Sequence, residues 1–406
     1  MTWKLCPLFL FVLLQINLIY GLTNCLNDKN HYECKLSTMV PYRNIANYED
    51  SPIIYPGCIE KKIWLFIRHG TRFPDKKYAI RMIEEFPELQ KLILTNFDAN
   101  KTTLEASQVA KLAKWKMHFE KDDSKNIAEE GENEMIDLAE RFQSRFPQLL
   151  KKDYTNNTYK FKYTATQRAE YSAKNFVLGL FGKKKSLQVS YEVPEYRDPV
   201  LRFYKRCKRW RKKIEDDPDP KQQQTKFLES AIVENMLKEI SNRVGLEVDF
   251  KKAYLMYITC AYETAFHGDS PWCDLFSIED FEFRSSEEYS VVAYFTHSGA
   301  ILKLLSLIGV AKDEIPLTHD SFLFHKANRV WRTSFIDAFA SNVAFILYEC
   351  ESQGPSVLFM HQERIVNLPN CPENTPCPIS VMKDMYPDNH EECKFDEMCY
   401  NLKREL

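Results

Sequence analysis

Residues 63–74 read Ile-Trp-Leu-Phe-Ile-Arg-His-Gly-Thr-Arg-Phe-Pro. The apolar, largely β-prone run 63–67 has the length and composition of a buried strand. It empties directly into Arg68-His69-Gly70-Thr71-Arg72, so two guanidiniums flank one imidazole at the strand's carboxyl end. Open α/β sheets bind ligands at that end. Gly70 is expected to turn the backbone tightly and leave room for a ligand. Arginine presents a planar fork of donors that matches phosphate oxygens. A neutral histidine between two such forks can attack phosphorus and form a phosphohistidine. An isolated histidine is usually structural or exposed, but Arg-His-Gly-x-Arg-x-Pro straight after an apolar strand is far rarer by chance.

Two further stretches repeat this arrangement. Residues 159–166 alternate, Tyr159, Phe161 and Tyr163 against Lys160, Lys162 and Thr164, which is strand spacing. They lead through Thr164-Ala165-Thr166-Gln167-Arg168 into a helical run carrying Ala173, Phe176, Val177 and Leu180. Residues 291–296 form another apolar strand, ending in His297, with a helix expected over 300–308. Strands thus deliver Arg68 and His69, then Arg168, then His297, and such convergence marks a single site. Helical spacing is also present at 78–96 (broken at Pro87), 104–119, 132–146, 227–240 and 248–266. Residues 342–350 and 357–360 read as further strands, and 22–57 as a polar, loop-rich lead-in.

With 406 residues the chain can bury a large core. A net charge of −2 gives no footing for nucleic-acid binding, so an anionic small molecule must be held by local positive charge. The dense basic run 205–213 reads as a solvated face balanced by Glu215, Asp216 and Asp217, or as a rim that draws in a phosphorylated substrate. Residues 1–21 have the charged start, apolar centre and small terminal residue of a secretory signal. No later segment is long and apolar enough to span a membrane. The twelve cysteines suit an oxidising compartment, and removing Cys6 with the signal leaves one thiol over. Cys25 with Cys34, and Cys260 with Cys273, are close enough for local bridges. No paired Cys-x-x-Cys spacing supports a metal, and no metal or other cofactor is expected. Asn100 and Asn156 head glycosylation sequons. The tail Lys403-Arg404-Glu405-Leu406 differs at one position from the Lys-Asp-Glu-Leu retrieval signal, so secretion and retention in the endoplasmic reticulum are both open.

The residues around His69, Arg168 and His297 resemble the histidine phosphatase superfamily in its acid-phosphatase and phytase branch. The run Pro271-Trp272-Cys273 with Phe276, and Leu304-Leu305-Ser306-Leu307, narrow the resemblance to the multiple inositol polyphosphate phosphatases. The resemblance implies an α/β fold: a mixed, largely parallel sheet flanked by helices, phosphoglycerate-mutase-like, with an inserted helical domain. It divides the chain into a lead-in with first strand (22–76), a helical insertion (77–155), α/β structure (156–200), more of the helical domain (201–285), and α/β structure with a cysteine-bearing end (286–406). It implies His69 as nucleophile, Arg68, Arg72 and Arg168 as phosphate clamps, and His297 as a ligand of the transferring group. It also implies a Cys58–Cys350 bridge tying the ends of the domain together.

Two departures follow. Family members place an acid one or two residues after the counterpart of His297, to protonate the leaving alkoxide. Here the chain reads His297-Ser298-Gly299. General acid help is typically worth ~10²–10⁴-fold, so the loss bears on turnover. His319-Asp320 is a weak substitute, since no clear strand delivers it. The segment 277–290 is also shorter than the family's, which removes part of the expected pocket wall. The expected activity is therefore hydrolysis of inositol polyphosphate monoesters through a phosphohistidine, with a silent polyphosphate-binding protein or a broad acid phosphatase as alternatives.

Overall fold

Strand β1 (Cys58–Arg68) lies between two partners of opposite sense. β2 (Phe295–Thr296) pairs with it in parallel, Ile67 opposite Phe295 and Arg68 opposite Thr296. β3 (Asn342–Cys350) runs antiparallel along it, from Cys58 opposite Cys350 to Ile67 opposite Asn342. The sheet continues antiparallel through β4 (Gly354–His361) to β5 (Arg364–Ile365), and β6 (Cys377–Pro378) also pairs with β4. This computed structural model describes residue 25 and residues 27–283, 295–386 and 399–400. The expected signal (1–21), the first part of the third apolar strand (291–294), Cys393 and the tail 403–406 lie outside the described residues.

The sheet is mixed, as the resemblance implies. The expected predominance of parallel strands is not found among the described strands. Parallel pairing is confined to β1–β2 and the bridges Tyr163–Phe295 and Phe161–Tyr191. The turn 351–353 joins β3 to β4 and is far too short for a parallel crossover, which needs a dozen or more residues. The alternating run at 159–166 contributes those bridges rather than a ladder.

Alternation sorts the strand side chains onto two faces. Ile67, Ala344, Ile346, Leu358 and Met360 share one apolar cluster with α3 (Glu129–Arg145) and α4 (Gln167–Ser186). Phe66, Val343 and Phe359 face the other way, against Ile301, Leu305 and Ile308 of α8 (Ser298–Ile308). A third cluster belongs to the helices α1 (Lys76–Asp98), α2 (Ala106–Lys114), α5 (Pro218–Leu228), α6 (Ala231–Val244) and α7 (Phe250–His267). α3, read from sequence with the insertion, thus packs with the sheet. α7 is apolar nearly all round and is the axis of the helical layer. Asp249 caps it by accepting from the Lys252 amide, and Gly268 ends it at φ 84°, a left-handed position that glycine takes without strain.

α1 runs unbroken through Pro87, against the expected break. Pro87 is exposed, while Phe86 and Leu89 on either side are buried and hold the helix to the layer. The expected single helix at 227–240 is instead the end of α5 and most of α6, parted at Glu229 and Ser230. The lead-in is less loop-like than its polarity suggests, since Leu36, Val40, Tyr42 and Ile45 are buried among short 3₁₀ turns.

Five disulfides are present among the described residues. Cys58–Cys350 closes the far end of the β1–β3 ladder, and Cys25–Cys34 and Cys260–Cys273 are local. Cys207–Cys399 and Cys371–Cys377 were not anticipated. Among the described residues no helix is long and apolar enough to cross a membrane.

Candidate active site

The chain leaves β1 through a segment that the surrounding backbone holds fast. The His69 amide donates to the Thr296 carbonyl (2.9 Å), and the His69 carbonyl accepts from the Ala340 amide (3.2 Å). Gly70 packs backbone to backbone on Gly131 at the start of α3, where a Cβ would lie 2.2 Å from the Gly131 carbonyl oxygen. The glycine therefore makes room for the helix, not for a ligand as first expected. The Gly70 amide donates to Ser172 Oγ (3.1 Å), and Ser172 Oγ donates to the Arg168 carbonyl (2.7 Å), coupling the loop to α4. Buried Glu134 fastens the next residue, accepting from the Thr71 amide (2.7 Å) and hydroxyl (2.9 Å).

His69 is 3% exposed. Its Nδ1 lies 2.9 Å from the Gly70 carbonyl oxygen, which can only accept, so the proton sits on Nδ1 and the Nε2 lone pair is free. Burial pushes its protonation well below the usual imidazole range, and the charges of Arg168, Arg68 and Arg72 push the same way. The ring is held neutral with one basic nitrogen.

His297 meets it edge to face, with ring centroids 5.4 Å apart. Arg168 Nη2 lies 3.1 Å from His297 Nδ1, and Arg202 Nη2 closes on His297 Nε2. Thr164 Oγ1 is 3.2 Å from the same Nε2. A neutral imidazole offers one lone pair, so it cannot accept from both arginines. His297 too is held neutral, by burial first and then by Arg168 and Arg202. Among the described residues, the buried Nε of Arg68, Arg168 and Arg202 has no acceptor. Among the described residues neither Arg168 nor Arg202 has an ion pair, and burial with the charges of Arg72 and Arg202 lowers the Arg168 guanidinium to about 9. The corner holds more donors than acceptors, and a tetrahedral oxyanion is the complement to that surplus.

Two carboxylates border this cluster. Asp75 Oδ1 pairs with Arg72 Nη1 at 3.2 Å and with Lys125 Nζ at 3.6 Å. Asp337, fully buried, faces Arg68: its Oδ2 is 3.8 Å from Arg68 Nη1, and its backbone oxygen accepts from the same nitrogen at 2.5 Å. Arg68 Nη1 also reaches the Thr38 carbonyl (2.7 Å), and its guanidinium lies 4.7 Å from the Phe339 ring centroid.

The structure brings Arg68, His69, Arg168 and His297 into one cluster, with Arg72 near enough for its charge to act on both histidines. His319-Asp320 is elsewhere. His319 Nδ1 bonds Gln223 Oε1 (2.8 Å), on the wall of a separate cavity of about 1130 Å³ that none of the clustered histidines or arginines lines. Asp320 accepts from Thr318 Oγ1 at the surface. Sequence reasoning missed Arg202, Thr164 and Asp337. Arg202 precedes the dense basic run and carries no pattern of its own, and Asp337 lies in a turn between a short helix (Thr333–Ile336) and β3. Asn100 and Asn156 are both exposed.

Residues 61–288 match the histidine phosphatase superfamily (branch 2). Over 373 residues the chain is 30% identical to multiple inositol polyphosphate phosphatase 1 of Drosophila melanogaster, covering 79% of this chain and 78% of that protein. The Homo sapiens protein of the same name is 24% identical over 414 residues, covering 87% and 84%. Among solved structures, the phytase from D. castellii superposes with a TM-score of 0.65 at 15% identity, covering 91% of this chain and 88% of that one. The multiple inositol polyphosphate phosphatase of Bifidobacterium longum, in complex with inositol hexasulfate, superposes with a TM-score of 0.60 at 12% identity, covering 89% and 99%.

Proposed function

The chain belongs to the histidine phosphatase superfamily (branch 2), and from that membership we propose a phosphomonoesterase that hydrolyses inositol polyphosphates through a phosphohistidine on His69. The observation that carries the reading is the donor surplus around two neutral imidazoles: among the described residues, three buried arginine Nε groups have no acceptor beside a His69 Nε2 whose lone pair is left open. Arg168 and Arg202 grip the equatorial oxygens, while Arg72 and Arg68 add positive charge from the loop and the strand end. His69 Nε2 attacks phosphorus as the ester oxygen departs, and water then attacks the phosphohistidine. His297 holds the transferring group from the opposite side. Positioning and charge supply most of the rate in such a transfer. The names of the curated relatives, and the inositol hexasulfate bound by the Bifidobacterium protein, favour a cyclitol carrying several phosphates as substrate.

The test is phosphate release from inositol hexakisphosphate by the purified chain, with trapping of labelled phosphate on the protein in a single turnover. His69→Ala is expected to abolish both. Unchanged release in that variant rejects the mechanism. A sequestering role is favoured by one observation, the serine at position 298 where the family carries its acid. Tight binding of inositol hexakisphosphate without any phosphoenzyme identifies that role instead. The five disulfides favour an oxidising, secretory compartment, and deletion of residues 403–406 separates retention from secretion.

A further inference from the structure

The reaction needs a proton for the departing inositol oxygen, and the residue after His297 is a serine. Ser298 is the first residue of α8, so its hydroxyl is fixed next in the chain to a ring that contacts His69. That hydroxyl donates to Asp337 Oδ2, and once Asp337 carries its own proton the same contact runs the other way, from Oδ2 to Ser298 Oγ. Ser298 is only half-buried, whereas Asp337 is fully buried. We propose that Asp337, acting through Ser298, is the proton source for the leaving alkoxide, an inference that rests on the phosphatase reading above.

The groups facing Asp337 suit the task. Arg68 approaches from β1 and Ser298 from α8, and among the described residues Asp337 Oδ1 finds no hydrogen-bond partner. Burial pushes the Asp337 carboxyl up to about 7, although Arg68 and the Ser298 hydroxyl pull the other way. A carboxyl near that value holds its proton in mildly acid solution and gives it up readily. Once it does, Arg68 stabilises the carboxylate left behind.

Among the described residues, neighbouring carboxyls are engaged otherwise. Burial also raises Glu134 to about 7, but its oxygens already accept from the Tyr42 amide, the Thr71 amide and the Thr71 hydroxyl. Glu263 is tied to Trp115 Nε1 and Ser270 Oγ inside the helical layer. Asp75 is engaged by Arg72 and Lys125.

The steps balance. As His69 Nε2 forms the P–N bond, the P–O bond breaks and its electron pair stays on the inositol oxygen. That oxygen takes the Ser298 hydroxyl proton, and Ser298 takes the proton from Asp337 Oδ2. In the second half, water attacks phosphorus and passes a proton through Ser298 back to Asp337. The P–N electron pair returns to His69. Asp337 is a positioning and relay residue, because only Ser298 reaches the substrate.

The experiment compares kcat on inositol hexakisphosphate, a poor leaving group, with kcat on 4-nitrophenyl phosphate, whose leaving group hardly needs an acid. Wild-type protein, Asp337→Asn and Ser298→Ala are followed from pH 5 to 9. Each substitution is expected to lower the ratio of inositol-ester to aryl-ester turnover by ~10²-fold. In wild type, inositol-ester turnover falls as pH rises through about 7, where Asp337 loses its proton, and Asp337→Asn removes that limb. The double variant Ser298→Asp with Asp337→Asn restores the ratio by placing the acid directly. Equal losses on both esters mean that Asp337 merely holds Arg68, and overturn the relay. A wild-type protein that is phosphorylated on His69 by the aryl ester yet leaves the inositol ester uncleaved overturns the relay alone. One that forms no phosphoenzyme with either ester overturns the phosphatase reading as well.

Discussion

Among the described residues, two clusters of arginines, one at Glu363 and one at His297, differ in how their donors are matched. Around Glu363, in the turn from β4 to β5, the matching is complete. Its Oε2 accepts from Arg141 Nε (2.8 Å) and Arg145 Nη1 (2.5 Å), and its Oε1 from Arg141 Nη2 (2.9 Å) and the Tyr42 hydroxyl (2.8 Å). The other Arg145 nitrogens reach the backbone oxygens of Asn47 and Glu49. Around His297 the arginines point at a ring with one lone pair and at one another. Burial acts against the charge of Arg141 and Arg168 alike, but Glu363 more than reverses this for Arg141, whereas nothing does so for Arg168. Arginine acts as a fastener where acceptors meet its donors, and the unmet donors around His297 are what the proposed phosphate site uses. Glu363 welds the lead-in, α3 and the β4–β5 turn into one unit, whereas the donors around His297 outnumber their acceptors among the described residues, as the proposed phosphate site requires.

Truncating one member of each cluster separates the two roles. Arg168→Ala is expected to lower kcat/KM on inositol hexakisphosphate by ~10³-fold, the upper range for removing one preorganised donor. Its urea midpoint should hold or rise slightly, because the change relieves repulsion from Arg72 and Arg202. A large fall in that midpoint shows that Arg168 is structural and collapses the contrast. The next effect in size lies in the other cluster. Glu363→Gln leaves Arg141 and Arg145 buried without a counter-charge, at a cost of about 3 kcal/mol in unfolding free energy. Its folded fraction should keep its activity. Urea unfolding with an assay of the surviving protein measures both.

Legibility in the sequence divides along the same line. Arg68, His69, Arg168 and His297 each stand where an apolar run meets a helix, so local pattern reports both the residue and its place at the sheet edge. Arg202 and Asp337 reach the cluster through packing between distant segments, which no local period encodes, while Thr164 sits inside the alternating strand run, whose spacing is silent on its hydroxyl's role. Glu363 is equally silent, since a charged residue in a tight turn reads as solvent-facing until Arg141 and Arg145 are seen to converge on it. Gly70 shows the limit in another form. Its identity was legible, but its reason is the backbone of Gly131, sixty-odd residues on. The parallel share of the sheet was overestimated because strand existence follows from apolar runs, whereas direction follows from connections.

The smallest effect sharpens the contrast by titration. Sulfate keeps its charge across the alkaline range, so any change in its affinity reports the protein. Free Arg168 sits at about 9, lowered mainly by burial and then by Arg72 and Arg202. A bound anion favours the charged guanidinium and raises that value. Between the free and bound values the complex therefore holds a proton that the free protein has lost, and affinity falls by up to about tenfold per pH unit above 9. Below that point Arg168 is charged in both states and contributes no slope. The Glu363 cluster shows no such transition, because Glu363 raises Arg141 instead of lowering it. Isothermal titration of sulfate from pH 7 to 10 is expected to show the decline in wild type and in Glu363→Gln, and to lose it in Arg168→Ala. A decline that persists without Arg168 assigns the titration to another cation and breaks the link between donor surplus and anion binding.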